Sequence, residues 1–127
     1  MLRVLVIEDS PQNSLLIKTV LELARHTVLQ AATAAEGLAL ARAERPDIIV
    51  SDILLPDMSG LELAQILKAD PSTRAIPLLA LTALAMQGDR ERVLAAGLDA
   101  YLSKPFDYKE LLAELERLTK PLNSRPG

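Results

Sequence analysis

The feature that most limits how this 127-residue chain can fold is a repeated alternation between short apolar runs and segments with helical periodicity. The apolar runs predict strands, and the segments that follow them place apolar residues on one helical stripe. The predicted strands cover residues 3–7, 27–31, 47–51, 77–81 and 99–102. The predicted helices cover residues 11–25, 34–44, 61–69, 86–96 and 107–120.

Near-continuous apolar strands are typical of a parallel sheet covered on both faces, and the helices supply the crossover connections that such a sheet needs. We therefore predict an α/β fold, a doubly wound (βα)5 sandwich that forms one domain over residues 1–120. Half of the residues are hydrophobic and only 2% are aromatic, so the core must be aliphatic. Residues 121–127, which contain proline and glycine, are predicted to form a flexible tail.

Composition excludes several classes of protein. A net charge of −3 argues against nucleic acid as the direct partner. The absence of cysteine excludes disulfides, thiolate metal sites and a cysteine nucleophile. The apolar runs are much shorter than the roughly 20 residues of a membrane span, and Glu8 interrupts the first run too early for a signal peptide. We expect a cytoplasmic protein with no membrane partner.

Side chains that can bind ligands or take part in chemistry follow the carboxyl ends of four predicted strands. Glu8 and Asp9 follow the first strand, and Asp52 follows the third. Thr82 follows the fourth strand, and Lys104 lies just beyond the fifth. Because the carboxyl ends of parallel strands share one edge of a sheet, these side chains should converge. Three carboxylates, a hydroxyl and an ammonium predict a site for a hard cation and a phosphoryl group.

Each of these residues also has a purely structural interpretation. Asp9 could cap the first predicted helix, with Ser10 as the other candidate. Asp52 could be an ordinary loop residue, and Thr82 a hydroxyl preceding a helix. Lys104 could be a solvated surface charge, as most lysines are. The joint placement at four strand ends favours one functional site over a set of independent accidents.

Four segments together resemble the receiver domain of bacterial two-component response regulators, over about residues 3–118. They are Ile7-Glu8-Asp9, the run DILLPDMSG that begins at Asp52, Thr82-Ala83, and the run YLSKPF that begins at Tyr101. Each motif is weak alone, but their order and spacing are specific. The resemblance implies a flavodoxin-like sheet with strand order 2-1-3-4-5.

The resemblance also implies a phosphoacceptor and a metal site. It assigns Asp52 as the phosphoacceptor and Mg²⁺ as the cofactor, for which Mn²⁺ can substitute. Asp9 and Asp52 are implied as direct metal ligands, Glu8 as a ligand through water, and Leu54 as a ligand through its backbone carbonyl. This small number of protein ligands suits Mg²⁺, which keeps several waters.

The remaining matched positions are implied to bind the phosphoryl group and to report on it. Thr82, Lys104 and the backbone of Ala83 would bind phosphoryl oxygens, and a cis bond before Pro105 would direct Lys104 into the site. Tyr101 is implied to be a switch residue that turns inward when Thr82 moves toward the phosphoryl group. Its structural alternative is a partly buried core tyrosine.

The implied function is that of a phosphoacceptor in two-component or phosphorelay signalling. The donor would be a histidine kinase or a histidine phosphotransfer protein. Phosphorylation would change the surface formed by residues 86–96, 99–102 and 107–120, which would bind a downstream protein; a phosphorylation-dependent dimer is left open. We expect no enzyme activity beyond self-phosphorylation and slow self-dephosphorylation, since apolar Leu54 and Leu84 cannot orient an attacking water.

Three alternatives remain, of which the first is also a receiver and the other two belong to other classes. The chain could be a receiver fragment of a larger hybrid kinase or of a regulator with an output domain, although its start at Met1 favours a stand-alone regulator. A Mg²⁺-dependent aspartyl-phosphate hydrolase of the haloacid-dehalogenase type needs a second aspartate where Leu54 stands. A nucleotide- or flavin-binding domain lacks its glycine-rich phosphate loop here.

The end of the first predicted helix departs from the receiver pattern. Many receivers carry glycine there, whereas this chain has Leu23-Ala24-Arg25-His26. A side chain disfavours positive φ, so the resemblance leaves a Schellman-type end at Arg25 in doubt.

Overall fold

The sheet has the predicted parallel architecture. The computed structural model describes residues 1–82, 91 and 95–120. Its strands are β1 (Arg3–Ile7), β2 (Thr27–Ala31), β3 (Ile48–Asp52), β4 (Leu78–Thr82) and β5 (Ala100–Ser103). They form one parallel sheet in the order β2-β1-β3-β4-β5, which confirms the predicted order.

Helices cover both faces of the sheet. In the described part of the chain they are α1 (Pro11–Leu23), α2 (Ala34–Glu44), α3 (Gly60–Ala69) and α4 (Tyr108–Thr119). None of these helices combines the length and apolar content needed to cross a membrane. Most of the helix predicted over residues 86–96, and the whole tail predicted over residues 121–127, lie outside the described residues.

Alternation along the strands divides the interior into two aliphatic cores. In β1, Leu5 and Ile7 belong to the core shared with α2 and α3, while Val4 and Val6 belong to the core shared with α1 and α4. Full burial of a leucine or isoleucine side chain stabilises the fold by about 2 kcal/mol. Both faces therefore hold the sheet rigidly, and its carboxyl edge offers fixed positions for side chains.

The last three strands each begin and end one residue later than predicted. The predicted first residues lie at the start of the ladder and not within it: Pro77 has no N–H to donate, and the side chains of Asp47 and Asp99 accept main-chain N–H groups from the neighbouring strands at 2.8 Å. As a result, Asp52 and Thr82 are the final, buried residues of β3 and β4. Their side chains are thus positioned by the sheet itself.

The end of α1 contradicts the sequence-based expectation. The helix ends at Leu23 and not at Arg25, and Arg25 adopts a φ of +70°. The His26 N–H donates to the Leu21 carbonyl at 3.0 Å, and the Arg25 N–H donates to the Glu22 carbonyl at 2.9 Å. These two bonds define a Schellman motif, so the doubt about such an end was wrong. The satisfied carbonyls offset the strain of a left-handed arginine.

Replacing that arginine by glycine should stabilise the protein. Arg25→Gly relieves a backbone cost of about 1–2 kcal/mol, part of which is offset by the greater freedom of glycine in the unfolded chain. We expect the free energy of unfolding to rise by about 0.5–1 kcal/mol in urea titrations. Arg25→Ala, which keeps Cβ, should give no such gain; an equal gain would show that the arginine side chain is responsible.

Candidate functional site

Asp52 is fixed at the centre of the carboxyl edge. One of its carboxylate oxygens accepts a hydrogen bond from Lys104 Nζ at 2.9 Å, and the other accepts the Leu54 N–H at 3.1 Å. The chain then turns over Asp52 so closely that a Cβ on Gly60 would lie 2.6 Å from the Asp52 carbonyl oxygen. Only glycine fits there. The start of α3 therefore packs directly against the main chain of Asp52.

Two further carboxylates meet Asp52 from β1. Glu8 is buried and Asp9 is exposed. Carboxylate oxygens of Glu8, Asp9 and Asp52 lie within 4.8 Å of one another. Ser10, and not Asp9, caps α1, since its side chain accepts the Asn13 N–H. The capping alternative for Asp9 is therefore wrong, and its carboxylate is left for the site.

Lys104 follows β5 directly, and its side chain reaches two of the carboxylates. Its Nζ lies 2.9 Å from Asp52 Oδ2 and 3.0 Å from Glu8 Oε1, and its side chain is 23% exposed. The interpretation of Lys104 as a solvated charge is therefore wrong. The Lys104–Pro105 peptide bond is cis, and the Lys104 N–H is bonded to the Thr82 carbonyl at 2.6 Å. Thr82 itself is fully buried at the end of β4.

Burial and charge together set the protonation behaviour of the cluster. Burial raises the pKa of Glu8, the negative charge of Asp52 raises it further, and the hydrogen bond from Lys104 only partly compensates. Burial lowers the pKa of Lys104, but hydrogen bonds and charge from Asp52 and Glu8 outweigh that effect, so its pKa is raised. The Lys104 ammonium is therefore firmly charged. The negative charge of the buried Glu8 carboxylate, by contrast, is only partly offset by its hydrogen bond from Lys104.

The charges of the site favour a divalent cation. Three carboxylates and one ammonium carry −3 and +1, a formal charge of −2. One dication would neutralise it and allow all three carboxylates to remain ionised. Carboxylate oxygens are also the ligands that a hard cation prefers. The cluster can therefore hold such a cation next to a positioned carboxylate oxygen.

The other predicted site residues are only partly placed. Ala83 and Leu84 lie outside the described residues. Tyr101 is half-buried in β5 and packs against the core shared with α2 and α3. This burial agrees with its structural interpretation, and its role as a switch stays a prediction.

Sequence reasoning missed the role of Asp57. The sequence analysis includes Asp57 only as part of the matched run that begins at Asp52, whereas the Asp57 carboxylate accepts the N–H groups of Ala34 and Ala35 at 2.8 and 2.9 Å. These partners are 22–23 residues away in the chain. No local pattern could have revealed the contact, because it depends on how α2 and the loop after β3 meet in space.

Comparisons with known proteins agree with the geometry. A family model described as the response regulator receiver domain matches residues 4–116. The polar-differentiation response regulator DivK of Brucella anthropi is 39% identical over 113 residues, which cover 89% of this chain and 92% of DivK.

Two solved structures illustrate the structural similarity. The receiver domain of the sensor histidine kinase PA1611 from Pseudomonas aeruginosa, which has a magnesium ion in its active site cleft, matches with a TM-score of 0.86 and 36% identity, over 93% of this chain and 97% of that one. The chemotaxis response regulator CheY4 of Vibrio cholerae matches with a TM-score of 0.87 and 31% identity, over 93% and 98% of the two chains. Since the family model spans most of the sequence and the site has the expected carboxylates and lysine, this chain belongs to the receiver domain family of two-component response regulators.

Proposed function

We propose that the chain takes a phosphoryl group from a histidine kinase or a histidine phosphotransfer protein onto Asp52. The observation that carries this proposal is the Asp52 carboxylate, held by Lys104 Nζ at 2.9 Å inside a cluster of three carboxylates. Mass spectrometry after incubation with acetyl phosphate and Mg²⁺ tests it. We expect one added phosphoryl group, and no addition when Mg²⁺ is removed by a chelator.

We propose Mg²⁺ as the cofactor, with Mn²⁺ as a substitute. Asp9 and Asp52 would bind it directly, the Leu54 carbonyl would add one oxygen, and Glu8 would act through water. The geometry supports this division, since the Glu8 side chain is 1% exposed and already paired with Lys104, whereas Asp9 is exposed. When bound, the ion would neutralise charge on the carboxylates and on the incoming phosphoryl oxygens.

The protein's own residues would do the rest of the chemistry. An oxygen of Asp52 forms the bond to phosphorus as the donor's N–P bond breaks, and the donor histidine leaves with its electron pair. Lys104, Thr82 and the backbone of Ala83 would bind the phosphoryl oxygens, over which charge spreads in a loose transition state. Positioning and fixed charge account for most of the catalysis in such reactions.

Phosphorylation would then alter a partner-binding surface. Movement of Thr82 toward the phosphoryl group would let Tyr101 turn inward, changing the surface formed by residues 86–96, β5 and α4. A phosphoryl group can shift such an equilibrium only by contacting one state better than the other, and Thr82 would supply that contact. A downstream protein, rather than DNA or a membrane, would bind this surface.

We propose slow self-dephosphorylation and no catalysis on other substrates. Leu54 is 59% exposed, and its apolar side chain cannot orient an attacking water toward the phosphoryl group. Leu84, the second residue predicted to slow hydrolysis, lies outside the described residues. An apolar side chain at Leu54 also opposes the hydrolase alternative, which needs an aspartate at that position.

We propose that the chain acts in the bacterial cytoplasm as a stand-alone regulator. Its match with DivK, which covers 92% of that relative, supports this assignment. The similarity to the receiver of PA1611, a sensor histidine kinase, keeps the alternative of a receiver within a hybrid kinase.

The roles of the two β1 carboxylates lead to a prediction about metal affinity. Asp9→Asn should weaken Mg²⁺ binding at least tenfold, whereas Glu8→Gln should weaken it less, because direct ligation contributes more than contact through water. Calorimetric titration with Mg²⁺ measures both variants. Asp47→Asn, at the opposite edge of the sheet, is the control and should bind like the parent. A larger loss for Glu8→Gln would reverse the two roles.

A further inference from the structure

The loop that follows Asp52 is closed at its base. Leu54 and Ser59 pair as an isolated antiparallel bridge, and the Gly60 N–H donates to the Ile53 carbonyl at 2.7 Å. Between these contacts the chain runs outward to Asp57. Leu54 therefore lies at the base of this loop, which we call the acceptor loop (residues 53–59), while Asp57 lies near its tip.

The tip of the acceptor loop is tied to a different helix. The Asp57 carboxylate accepts the Ala34 N–H through one oxygen and the Ala35 N–H through the other. These are the first two N–H groups of α2, which have no partner within a helix. The two hydrogen bonds hold the pKa of Asp57 below its ordinary value, so the carboxylate stays ionised at neutral pH. The negative charge also suits the positive end of the helix dipole.

α2 also has a local cap, which does not involve Asp57. Thr33 is the N-cap residue, and its hydroxyl accepts the Glu36 N–H at 3.1 Å. A helix with a local cap has less need of a second capping residue from another element. The contact therefore does more than complete the helix cap, because it also fixes the tip of the acceptor loop to the body of the domain.

We propose that Asp57 is a positioning residue for the metal site, which it serves by holding the acceptor loop against α2. This inference rests on the proposed function, because it assumes that the Leu54 carbonyl binds the ion. The Leu54 N–H is bonded to Asp52 Oδ1 at 3.1 Å, so a displacement of Leu54 also disturbs the acceptor carboxylate. Because the loop is fixed both at its base and at its tip, it has a single arrangement. In that arrangement the Leu54 carbonyl and the Asp52 carboxylate are in place before the ion binds.

The test is the Mg²⁺ affinity of the full chain carrying Asp57→Ala. Groups that orient metal ligands without binding the metal typically contribute a factor of ten or more to metal affinity. We expect the dissociation constant for Mg²⁺, measured by calorimetry, to rise about tenfold. The Mg²⁺ concentration for half-maximal phosphorylation by acetyl phosphate should rise by the same factor, while the rate at saturating Mg²⁺ stays close to that of the parent.

Asp70→Ala is the matched control. Asp70 also joins α2 to the segment around α3, but at the opposite end: it accepts hydrogen bonds from Arg42 Nε at 2.8 Å and from the Ser72 N–H at 2.9 Å. Loss of either carboxylate should lower the Tm, but only Asp57→Ala should change Mg²⁺ affinity. Equal loss of affinity in both variants would show a general effect of destabilisation and would overturn the inference.

Asp57→Asn keeps the test decisive if the alanine variant folds poorly. Its amide offers one acceptor oxygen, whereas the carboxylate offers a separate oxygen to each N–H group, so its Mg²⁺ affinity should fall between that of the parent and that of the alanine variant. If the parent binds Mg²⁺ and is phosphorylated but both Asp57 variants match it, the inference alone fails. If the parent itself neither binds Mg²⁺ nor accepts phosphate, the proposed function fails.

Discussion

Asp52→Asn should abolish phosphorylation by acetyl phosphate while leaving the fold intact. An amide oxygen is a poor nucleophile toward phosphorus, and the substitution removes the charge that Lys104 pairs with at 2.9 Å. We expect intact-mass spectrometry to show one added phosphoryl group on the parent and none on the variant. Thermal melting with and without Mg²⁺ checks that the variant is folded.

A control at the other end of the same strand makes the result specific. Asp47 precedes β3 and is bonded to the Arg3 N–H, far from the carboxyl edge. Asp47→Asn should therefore be phosphorylated as fully as the parent. A phosphoryl group that persists on Asp52→Asn would place the acceptor at another carboxylate, with Asp9 the first to examine because it is exposed.

The convergence of the site residues could be predicted because a parallel sheet makes it unavoidable. Once the apolar runs are identified as strands, the residues that end them must share an edge. A one-residue error in the position of three strands did not matter, since Asp52 and Thr82 remain at that edge as final strand residues. The order of the strands in the sheet could not be predicted from periodicity. It was predicted from the resemblance to receivers.

Features that depend on contacts distant in sequence could not be predicted in this way. The two N–H groups bound by Asp57 belong to α2, and nothing near Asp57 in the sequence indicates them. At Arg25 the local sequence was misleading, because a residue with positive φ at the end of a helix is usually glycine. The rule failed because two backbone hydrogen bonds, visible only in three dimensions, outweigh the local cost.

Lys104→Ala should have two separable effects, one on stability and one on phosphorylation. Without Mg²⁺ at neutral pH it leaves the buried carboxylates of Glu8 and Asp52 with no nearby cation, and we expect a loss of about 2 kcal/mol in the free energy of unfolding. Saturating Mg²⁺ should reduce that loss, because without the ammonium the carboxylates should bind the ion more tightly than in the parent, and each tenfold difference in Kd adds about 1.4 kcal/mol to the gain in stability. It should not restore phosphorylation, which we expect to be about a hundredfold slower because the phosphoryl oxygens lose a charged partner.

Lys68→Ala is the matched control for that variant. Lys68 pairs with Asp99 at 3.1 Å and lies away from the carboxylate cluster. Its removal should cause a small loss of stability relative to the parent, and that loss should be the same with and without Mg²⁺. Normal phosphorylation of Lys104→Ala, together with a stability loss that Mg²⁺ does not reduce, would make Lys104 a structural residue and contradict the mechanism.

The pH dependence gives an independent check on the Lys104→Ala variant. The pKa of Glu8 is already raised by burial and by the charge of Asp52, and loss of the lysine should raise it further. A carboxyl whose pKa is higher in the folded state than in the unfolded state binds more protons when folded, so stability falls as pH rises through the interval between the two values. Below that interval Glu8 is protonated in both states and no longer penalises folding. The stability difference between the variant and the parent should therefore shrink as urea titrations are repeated at decreasing pH. A difference that is constant with pH would show that the loss comes from packing of the lysine stem and not from uncompensated charge.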